Sequence, residues 1–332
     1  MEEQEDVGSP SLRDLGEREI VRRLIAEYPQ SSFIGPGDDC GAIELDERLL
    51  LLSTDTKVDD THFPSAFTPF DKGWTITAAN LSDVAAMGGI PVGFLIAFGL
   101  PRDTPFFVLK DIEGGIDACL RENSTPLVGA DTKENKVLTL TGTIVGIVDK
   151  REVLLRRGSR PGDIVCVSGP LGGAALGLDS MKGGLNIALA EARLRRPTPR
   201  IKEGRLLAKS GHATSCIDIS DGLSSSLYEL MRASGNGFEI DAAHVPLHES
   251  LVDVEITDRE RLDIALHSGD EYELLFTLMP DGVEALSSMF DEEATHDLSV
   301  IGRVVEGKEI NLIHPNGEGE HLLDLGYEHF RS

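Results

Sequence analysis

One short segment constrains this chain more than any other, the stretch over residues 213–229 with the sequence ATSCIDISDGLSSSLYE. Small and apolar residues lead to Ile217, a glycine follows at position 222, and apolar residues then recur at helical spacing. The pattern predicts a strand, a sharp turn and the start of a helix. Asp218 alternates with its apolar neighbours, so its side chain is expected on the opposite face of the strand.

The two carboxylates of this segment have two interpretations. Asp218 and Asp221 stand three residues apart with the hydroxyl of Ser220 between them. Hard cations such as Mg²⁺ take oxygen ligands, so the pair suits a metal site. Asp221 also precedes the predicted helix, where a simple N-cap would explain it. The choice depends on the other aspartates of the chain.

Length and charge limit the class of protein. A chain of 332 residues suggests two domains, at about 150 residues for each. Its formal net charge of −26 would repel nucleic acid and anionic membranes, so neither is expected as a partner. The N-terminus is acidic and polar, unlike a signal peptide, and no apolar run approaches the roughly 20 residues of a membrane span.

The cysteines indicate the compartment. They are far apart and form no CxxC pair, at Cys40, Cys119, Cys166 and Cys216. This spacing predicts reduced, mostly buried thiols and a cytoplasmic protein.

Helix-like and strand-like patterns are mixed along the chain, which favours an α+β fold in its first part. We predict a disordered tail over residues 1–10, helices near 11–28, 74–88 and 110–122, and strands near 49–52, 92–100 and 137–148. A charged segment with Gly and Pro near residue 150 predicts a boundary between two domains, residues 11–149 and 150–332.

A glycine-rich turn over residues 169–177 follows a strand predicted at 163–168. Such a turn can expose backbone N–H groups to a phosphate, but this one lacks the GK[ST] end of a Walker A loop. We interpret it first as a site of close packing and second as a phosphate contact.

Aspartates recur where apolar runs end. The candidate ligands are Asp39, Asp55, Asp83, Asp131, Asp218 and Asp221. Asp83 differs from the others, because it lies inside an alanine-rich helical pattern where aspartate has poor propensity. The alanines predict a buried helix, and a carboxylate in such a helix is expected to have a function.

Six carboxylates in one cleft would repel one another unless cations neutralised them. The absence of His and Cys clusters argues against zinc, and an all-oxygen set favours Mg²⁺ or Mn²⁺. Mg²⁺ held by few protein ligands generally also binds substrate phosphates. The residues therefore predict a nucleotide-dependent phosphoryl transferase without a P-loop.

Seven motifs occur in an order that resembles a known family. They are GDDCGAI, STDTKVDDTHF, NLSDVAAMGGIP, VGADT, RRGSRPGD, IDISDGL and GDEYELLF. As an ordered set over about residues 11–330 they resemble the thiamine-monophosphate kinases, in the superfamily of aminoimidazole ribonucleotide synthetase. The C-terminal GYEHF is similar to the tail of that kinase family. The reactive N-terminal cysteine or selenocysteine of selenophosphate synthetases and the C-terminal cysteine of hydrogenase maturation relatives are both absent.

The resemblance implies an N-terminal α+β domain that dimerises through its sheet, a C-terminal α/β domain, and an ATP cleft between them. It implies Mg²⁺-dependent transfer of the ATP γ-phosphoryl group to thiamine monophosphate. The metal ligands implied by motif position are Asp39, Ser53, Thr54, Asp55, Asp83, Asp131, Asp218 and Asp221. The ATP contacts implied are Ala130, Asp131, Arg156 and Ser220, and the substrate contacts are His62, Asp270 and Tyr327.

Two motifs depart from the family pattern. Ala130 stands where a second glycine is usual, and Asp270-Glu271 replaces the usual acidic pair, which leaves open which of the two carboxylates contacts substrate. From the residues alone, Arg156 could equally be an exposed linker arginine and His62 a structural histidine. The alternatives for function are a ring-closing synthetase of the same superfamily and a non-catalytic metal-binding protein.

Overall fold

A computed structural model of the chain describes residues 10–26, 34, 37–183, 187–252 and 254–330. The predicted disordered tail lies outside the described residues except for Pro10. The end of the first predicted helix, at Tyr28, lies outside them as well.

The first part of the chain forms a five-stranded sheet with helices. The elements are α1 (Leu12–Leu15), α2 (Glu17–Ala26), β1 (Gly41–Leu45), β2 (Arg48–Val58), α3 (Pro69–Ala86), β3 (Ile90–Leu100), α4 (Phe106–Glu122), β4 (Leu127–Glu134) and β5 (Thr139–Asp149). The strand order among these residues is β1-β2-β5-β3-β4, and only β3 and β4 run parallel. Helix α3 packs on the sheet and against α4.

The second part forms a seven-stranded mixed sheet with its own helices. The elements are β6 (Ile164–Val167), α5 (Gly173–Met181), α6 (Ala188–Arg195), α7 (Ile201–Ser210), β7 (Ala213–Asp218), α8 (Leu223–Ser234), β8 (Gly237–Asp241), α9 (Asp258–His267), β9 (Leu274–Leu278), α10 (Val283–Glu293), β10 (Ser299–Val305), β11 (Ile310–Ile313) and β12 (Gly319–His321). The order among the described strands is β12-β11-β8-β10-β6-β9-β7. The predicted fold of two units that mix helices and strands is confirmed, and the boundary near residue 150 stays a prediction.

Two predicted helices differ from the observed ones, the first by an interruption and the second by an earlier start. The first is divided by Gly16, whose φ of 76° interrupts the helical backbone. The second begins at Pro69 rather than Trp74, because Thr68 and Asp71 form a capping box and proline suits the first helical position. The apolar pattern could not locate this start, since capping depends on polar residues.

Helix α3 touches both parts of the molecule through small residues. A Cβ atom at Gly73 would lie 2.0 Å from the carbonyl oxygen of Ile112 on α4, and one at Gly204 on α7 would lie 2.1 Å from that of Ala85. These backbones approach too closely for any side chain. The alanine-rich, buried helix predicted around Asp83 is therefore confirmed, and it connects the two sheets.

The cysteines agree with the prediction from the sequence. All four cysteines are buried and free, as predicted. No helix in the described part of the chain is long and apolar enough to cross a membrane.

The contact between α3 and α4 gives a prediction with a neighbouring control. A Cβ at Gly115 would lie 1.9 Å from the Phe70 carbonyl oxygen, whereas a Cβ at Gly114 meets only the Phe70 ring at 3.7 Å. We expect Gly115→Ala to lower the free energy of unfolding by about 1–3 kcal/mol through overpacking. Urea denaturation followed by circular dichroism measures the change.

The control is Gly114→Ala, which should be neutral or stabilising by up to about 1 kcal/mol, since alanine is the better helix former. Equal stabilities of the two variants would contradict the close approach of α3 to α4.

Candidate active site

A large cleft, with a volume of about 1740 Å³, opens between the two parts of the chain. Its lining includes β2, α3 and the loop that follows β2 from the first part. From the second part come the end of β7, the start of α5, the loop before β9 and the C-terminal segment around Tyr327. Most of the predicted site residues line this cleft.

Three of the predicted metal ligands converge. One oxygen each of Asp39, Asp83 and Asp218 lies within 4.8 Å of the other two. Asp39 comes from the loop before β1, Asp83 from the last turn of α3 and Asp218 from the end of β7. The close packing of α3 against both sheets brings these distant positions together.

Each carboxylate of this cluster has a polar neighbour. The Ser53 hydroxyl donates to Asp83 Oδ2 at 2.5 Å, and the Ser82 hydroxyl donates to Asp218 Oδ2 at 2.7 Å. Arg156 donates to Asp39 Oδ1 at 2.6 Å.

Arg156 is therefore a partner of the carboxylate cluster rather than an exposed linker residue. Its side chain is only 22% exposed.

The cluster carries more negative charge than its protein partners neutralise. Burial, followed by the charge of Asp39, raises the pKa of Asp218 to about 8. Burial and the charges of Asp55, Asp218 and Asp39 raise the pKa of Asp83 well above its usual value. Asp39 Oδ2 is buried and has no hydrogen-bond partner among the described residues. An all-oxygen, electron-rich set of this kind fits a divalent cation such as Mg²⁺.

Strand β2 divides its predicted ligands between two faces. Asp55 shares a face with Ser53 and has a raised pKa because of its burial. The hydroxyl of Thr54 is directed to β5 instead, where it donates to the Gly142 carbonyl oxygen at 2.8 Å. The structure thus brings Ser53 and Asp55 towards the cluster and turns the Thr54 side chain away, although Thr54 still borders the cleft.

Ser220 and Asp221 line the cleft just before α8. The N-cap of that helix is Gly222, and no side chain caps it, so simple N-capping does not explain Asp221. Burial raises the pKa of Asp221 to about 6, against the opposing charge of Arg18, whose guanidinium lies 3.7 Å away.

Ala130 and Asp131 are not brought to the cluster within one chain. The strand register aligns Ala130 with Asp55 across three strand spacings, which is about 14 Å. Asp131 lies on the edge strand β4 with its side chain 62% exposed, and it pairs with Lys133 at 2.7 Å. The sequence could not show this separation, because a motif gives no order of strands in the sheet.

The three predicted substrate contacts line one end of the cleft. His62 Nε2 lies 3.2 Å from His329 Nε2, and the Tyr327 hydroxyl lies 3.1 Å from His329 Nδ1. His329 therefore joins the loop after β2 to the C-terminal segment. We define His62, Tyr327 and His329 as the aromatic patch.

The segment over residues 270–273 alternates between the cleft and the interior. Asp270 and Tyr272 line the cleft, where both contact the ammonium group of Lys57. Glu271 and Glu273 are fully buried on the other side. Both cleft-facing residues have left-handed backbones, with φ of 60° and 52°. The structure therefore places Asp270 in the cleft and Glu271 away from it.

Glu271 also binds the backbone of the glycine-rich turn. One carboxylate oxygen of Glu271 accepts hydrogen bonds from the backbone N–H groups of Gly172, at 2.8 Å, and Ala174, at 3.1 Å. A Cβ at Gly173 or Gly177 would collide with its neighbours. The turn is a site of close packing, and its first N–H groups are used by the protein itself rather than offered to a phosphate.

Several charged residues at or near the site were not predicted. The sequence does contain a pattern that could have predicted Lys57, because this residue continues the alternation of Ser53 and Asp55 along β2. Arg18 of α2 donates to Asp324 and to the Tyr327 carbonyl oxygen, which ties the first described helices to the C-terminal segment. Arg193 and Arg200 bind the buried Glu273. Long-range pairs of this kind leave no local pattern in a sequence.

The chain matches two domain families in succession. Residues 37–148 match the AIR synthase related protein, N-terminal domain, and residues 160–315 match the AIR synthase related protein, C-terminal domain.

Full-length relatives are more specific. The chain is 34% identical over 323 residues to the thiamine-monophosphate kinase of Pyrococcus horikoshii. The aligned region covers 96% of this chain and 98% of the relative. It is 34% identical over 325 residues to that of Escherichia coli strain K12, covering 95% and 98%. A solved structure of AaThiL complexed with AMPPCP and TMP superposes with a TM-score of 0.85 at 27% identity, covering 97% of this chain and 99% of that one.

The buried cluster around Glu273 gives a prediction about pH. Burial alone would raise the pKa of Glu273, but Arg200 and Arg193 outweigh it and hold the value at about 2, below the ordinary 4.5. A lowered pKa stabilises the fold above pH 4.5, and this contribution is lost as the pH falls towards 2. Glu273→Gln should therefore lower the free energy of unfolding by about 3 kcal/mol at pH 7.

The difference between wild type and variant should shrink as the pH is lowered from 5 to 3, as measured by urea denaturation. The control is Glu239→Gln, which breaks a surface pair with Arg303 and should cost less than about 1 kcal/mol. If the loss of unfolding free energy in Glu273→Gln did not change with pH, the ion pair of Glu273 with Arg200 and Arg193 would be contradicted.

Proposed function

The chain belongs to the thiamine-monophosphate kinase family, and we propose that it transfers the γ-phosphoryl group of ATP directly to thiamine monophosphate, giving thiamine diphosphate and ADP. The full-length similarity to these kinases supports the proposal. The observation that carries it is that one cleft is lined by two members of a carboxylate cluster suited to phosphate-bound Mg²⁺, Asp83 and Asp218, and by an aromatic patch suited to a cationic heterocycle.

The ligands would be divided along the cleft. Mg²⁺ ions would be held by Asp39, Asp83 and Asp218, with Ser53, Asp55 and Asp221 as further proposed ligands. Thr54, Ala130 and Asp131 are left out of this set, because within one chain the Thr54 hydroxyl is directed to β5 and the other two residues lie on the edge strand β4. ATP would contact Arg156 and Ser220, and the substrate would contact His62, Asp270 and Tyr327. When bound, the ions would neutralise phosphate charge and orient the transferred group.

The transfer needs no basic side chain. A phosphate oxygen of thiamine monophosphate attacks the γ-phosphorus, the bond from that phosphorus to the β,γ-bridging oxygen breaks, and ADP leaves. A phosphate with a second pKa of about 6 is already largely ionised at neutral pH. The protein therefore has to align the two phosphates and offset their repulsion.

The direct test combines the protein, ATP, Mg²⁺ and thiamine monophosphate and separates the products by chromatography. Thiamine diphosphate and ADP should appear in equal amounts, and both should disappear when Mg²⁺ is chelated. ADP formed without thiamine diphosphate would contradict the proposed acceptor.

The carboxylate cluster is tested in the same assay. Asp218→Asn should abolish turnover with the fold intact, because it removes a proposed metal ligand together with a buried, poorly neutralised charge. The matched control is Asp103→Asn at an exposed position outside the cleft, which should keep wild-type rates.

We further propose a cytoplasmic homodimer that forms through the outer face of the first sheet. Ile43, Leu45, Ile90 and Leu95 are 40–57% exposed on β1 and β3, and the strand register puts them on one face. An apolar sheet face of this kind is typical of an interface. A second chain packed here would also leave Asp131 near a protein neighbour rather than in open solvent.

Sedimentation equilibrium should give twice the chain mass of 35.9 kDa. Leu95→Lys should shift the protein towards the monomer, since it places a charge in the proposed interface. Val252→Lys, at an exposed apolar residue of the second part, should leave the mass unchanged. A monomeric wild type would contradict the proposal.

A further inference from the structure

Strand β2 carries one more side chain into the cleft beyond the proposed metal ligands. Leu49 and Leu51 are buried in the core, and Ser53, Asp55 and Lys57 continue on the same face of the strand. Alternate residues of a strand are about 6.6–6.8 Å apart. Lys57 therefore follows Asp55 by one step along the cleft, away from the carboxylate cluster.

The Lys57 ammonium group is held in a defined position. The residue is only 8% exposed, and its Nζ lies 3.2 Å from Asp270 Oδ1 and 3.1 Å from the Tyr272 hydroxyl. The Tyr272 hydroxyl donates to Asp270 Oδ1 at 2.8 Å, so the two acceptors are themselves connected. Since an ammonium group has three N–H bonds, these two contacts leave one for a ligand in the cleft.

The two residues that accept hydrogen bonds from Lys57 are also held rigidly. Asp270 and Tyr272 both have left-handed backbones, which side-chain-bearing residues adopt only where the surroundings hold them. On either side of Tyr272, the buried carboxylates of Glu271 and Glu273 bind α5 and two arginines. The ammonium group thus faces a preformed site rather than a mobile loop.

Lys57 differs from the other lysines of the cleft. Among the described lining residues these are Lys72, whose ammonium group is paired with Asp59, and Lys182, which is exposed at the surface. Lys57 is also paired, with Asp270, but among these described lysines it alone is buried.

We propose that Lys57 binds the phosphate of the acceptor substrate and holds it in line with the phosphoryl group to be transferred. The proposal rests on the proposed function. With its heterocycle at the aromatic patch and its phosphate facing the carboxylate cluster, the substrate spans the position of the Lys57 ammonium group. A phosphate with nearly two negative charges would be repelled by the surrounding aspartates, and this cation offsets the repulsion.

A comparison of thiamine, which lacks the phosphate, with thiamine monophosphate distinguishes a phosphate contact of Lys57 from a structural role. Lys57→Met keeps the length of the stem and removes the charge. We expect it to raise the KM for thiamine monophosphate about tenfold to hundredfold, the effect of losing a charge-assisted hydrogen bond. The inhibition constant of thiamine and the Kd of AMPPCP with Mg²⁺ should stay within about twofold of wild type.

Lys57→Arg should recover part of the affinity for thiamine monophosphate, because it restores the positive charge. Lys72→Met is the matched control, since it removes a cleft lysine that binds Asp59 rather than Asp270, and it should leave the KM near that of wild type. Should Lys57→Met fail to fold, Lys57→Gln serves instead, because it keeps a hydrogen bond to Asp270 without the charge. Thermal denaturation verifies the folding of each variant.

Each outcome decides the proposal. An active wild type with an unchanged KM in Lys57→Met overturns the role of Lys57 and leaves the proposed function standing. Equal losses for thiamine, AMPPCP and thiamine monophosphate indicate a clamp between the two parts of the chain and also overturn it. A wild type that neither binds nor phosphorylates thiamine monophosphate, by calorimetry and chromatography, overturns the proposed function and the role of Lys57 together.

Discussion

The mutual repulsion of buried carboxylates is the constraint on which the rest of this structure depends. Asp39, Asp83 and Asp218 converge to within 4.8 Å, with Arg156 as the cation bound to the cluster. Folding brings them together only because the packing of α3 against both sheets outweighs the repulsion. The raised pKa values of Asp83 and Asp218 record the unfavourable charge. A cation bound between these carboxylates would relieve it.

Helix α3 makes this arrangement possible because it is built from small residues. Its backbone lies against α4 at Gly73 and against α7 at Gly204, so that it touches both parts of the chain. A helix with larger side chains would keep these elements several ångströms further apart. The precision of the site thus depends on glycines and alanines that have no chemistry of their own.

The sequence predicted those parts of the site that have a local pattern. Asp39, Asp83 and Asp218 were recognised from turns, a strand end and an unfavourable helix position, and the structure brings them together. Asp131 fits the same pattern but lies on the edge strand β4, three strand spacings from β2, because strand order is a tertiary property. The sequence also left Asp270 and Glu271 undecided, since left-handed backbones at non-glycine residues have no clear signature.

The contacts of Arg18 have a consequence for how the protein is made. This residue near the start of the chain binds Asp324 and the Tyr327 carbonyl oxygen, more than 300 positions later. The first sheet, whose last strand ends at Asp149, can form before the C-terminal segment has been synthesised, but one wall of the cleft is missing until that segment reaches Arg18. The cleft is therefore a late product of folding, because its wall requires contact between residues from both ends of the described chain.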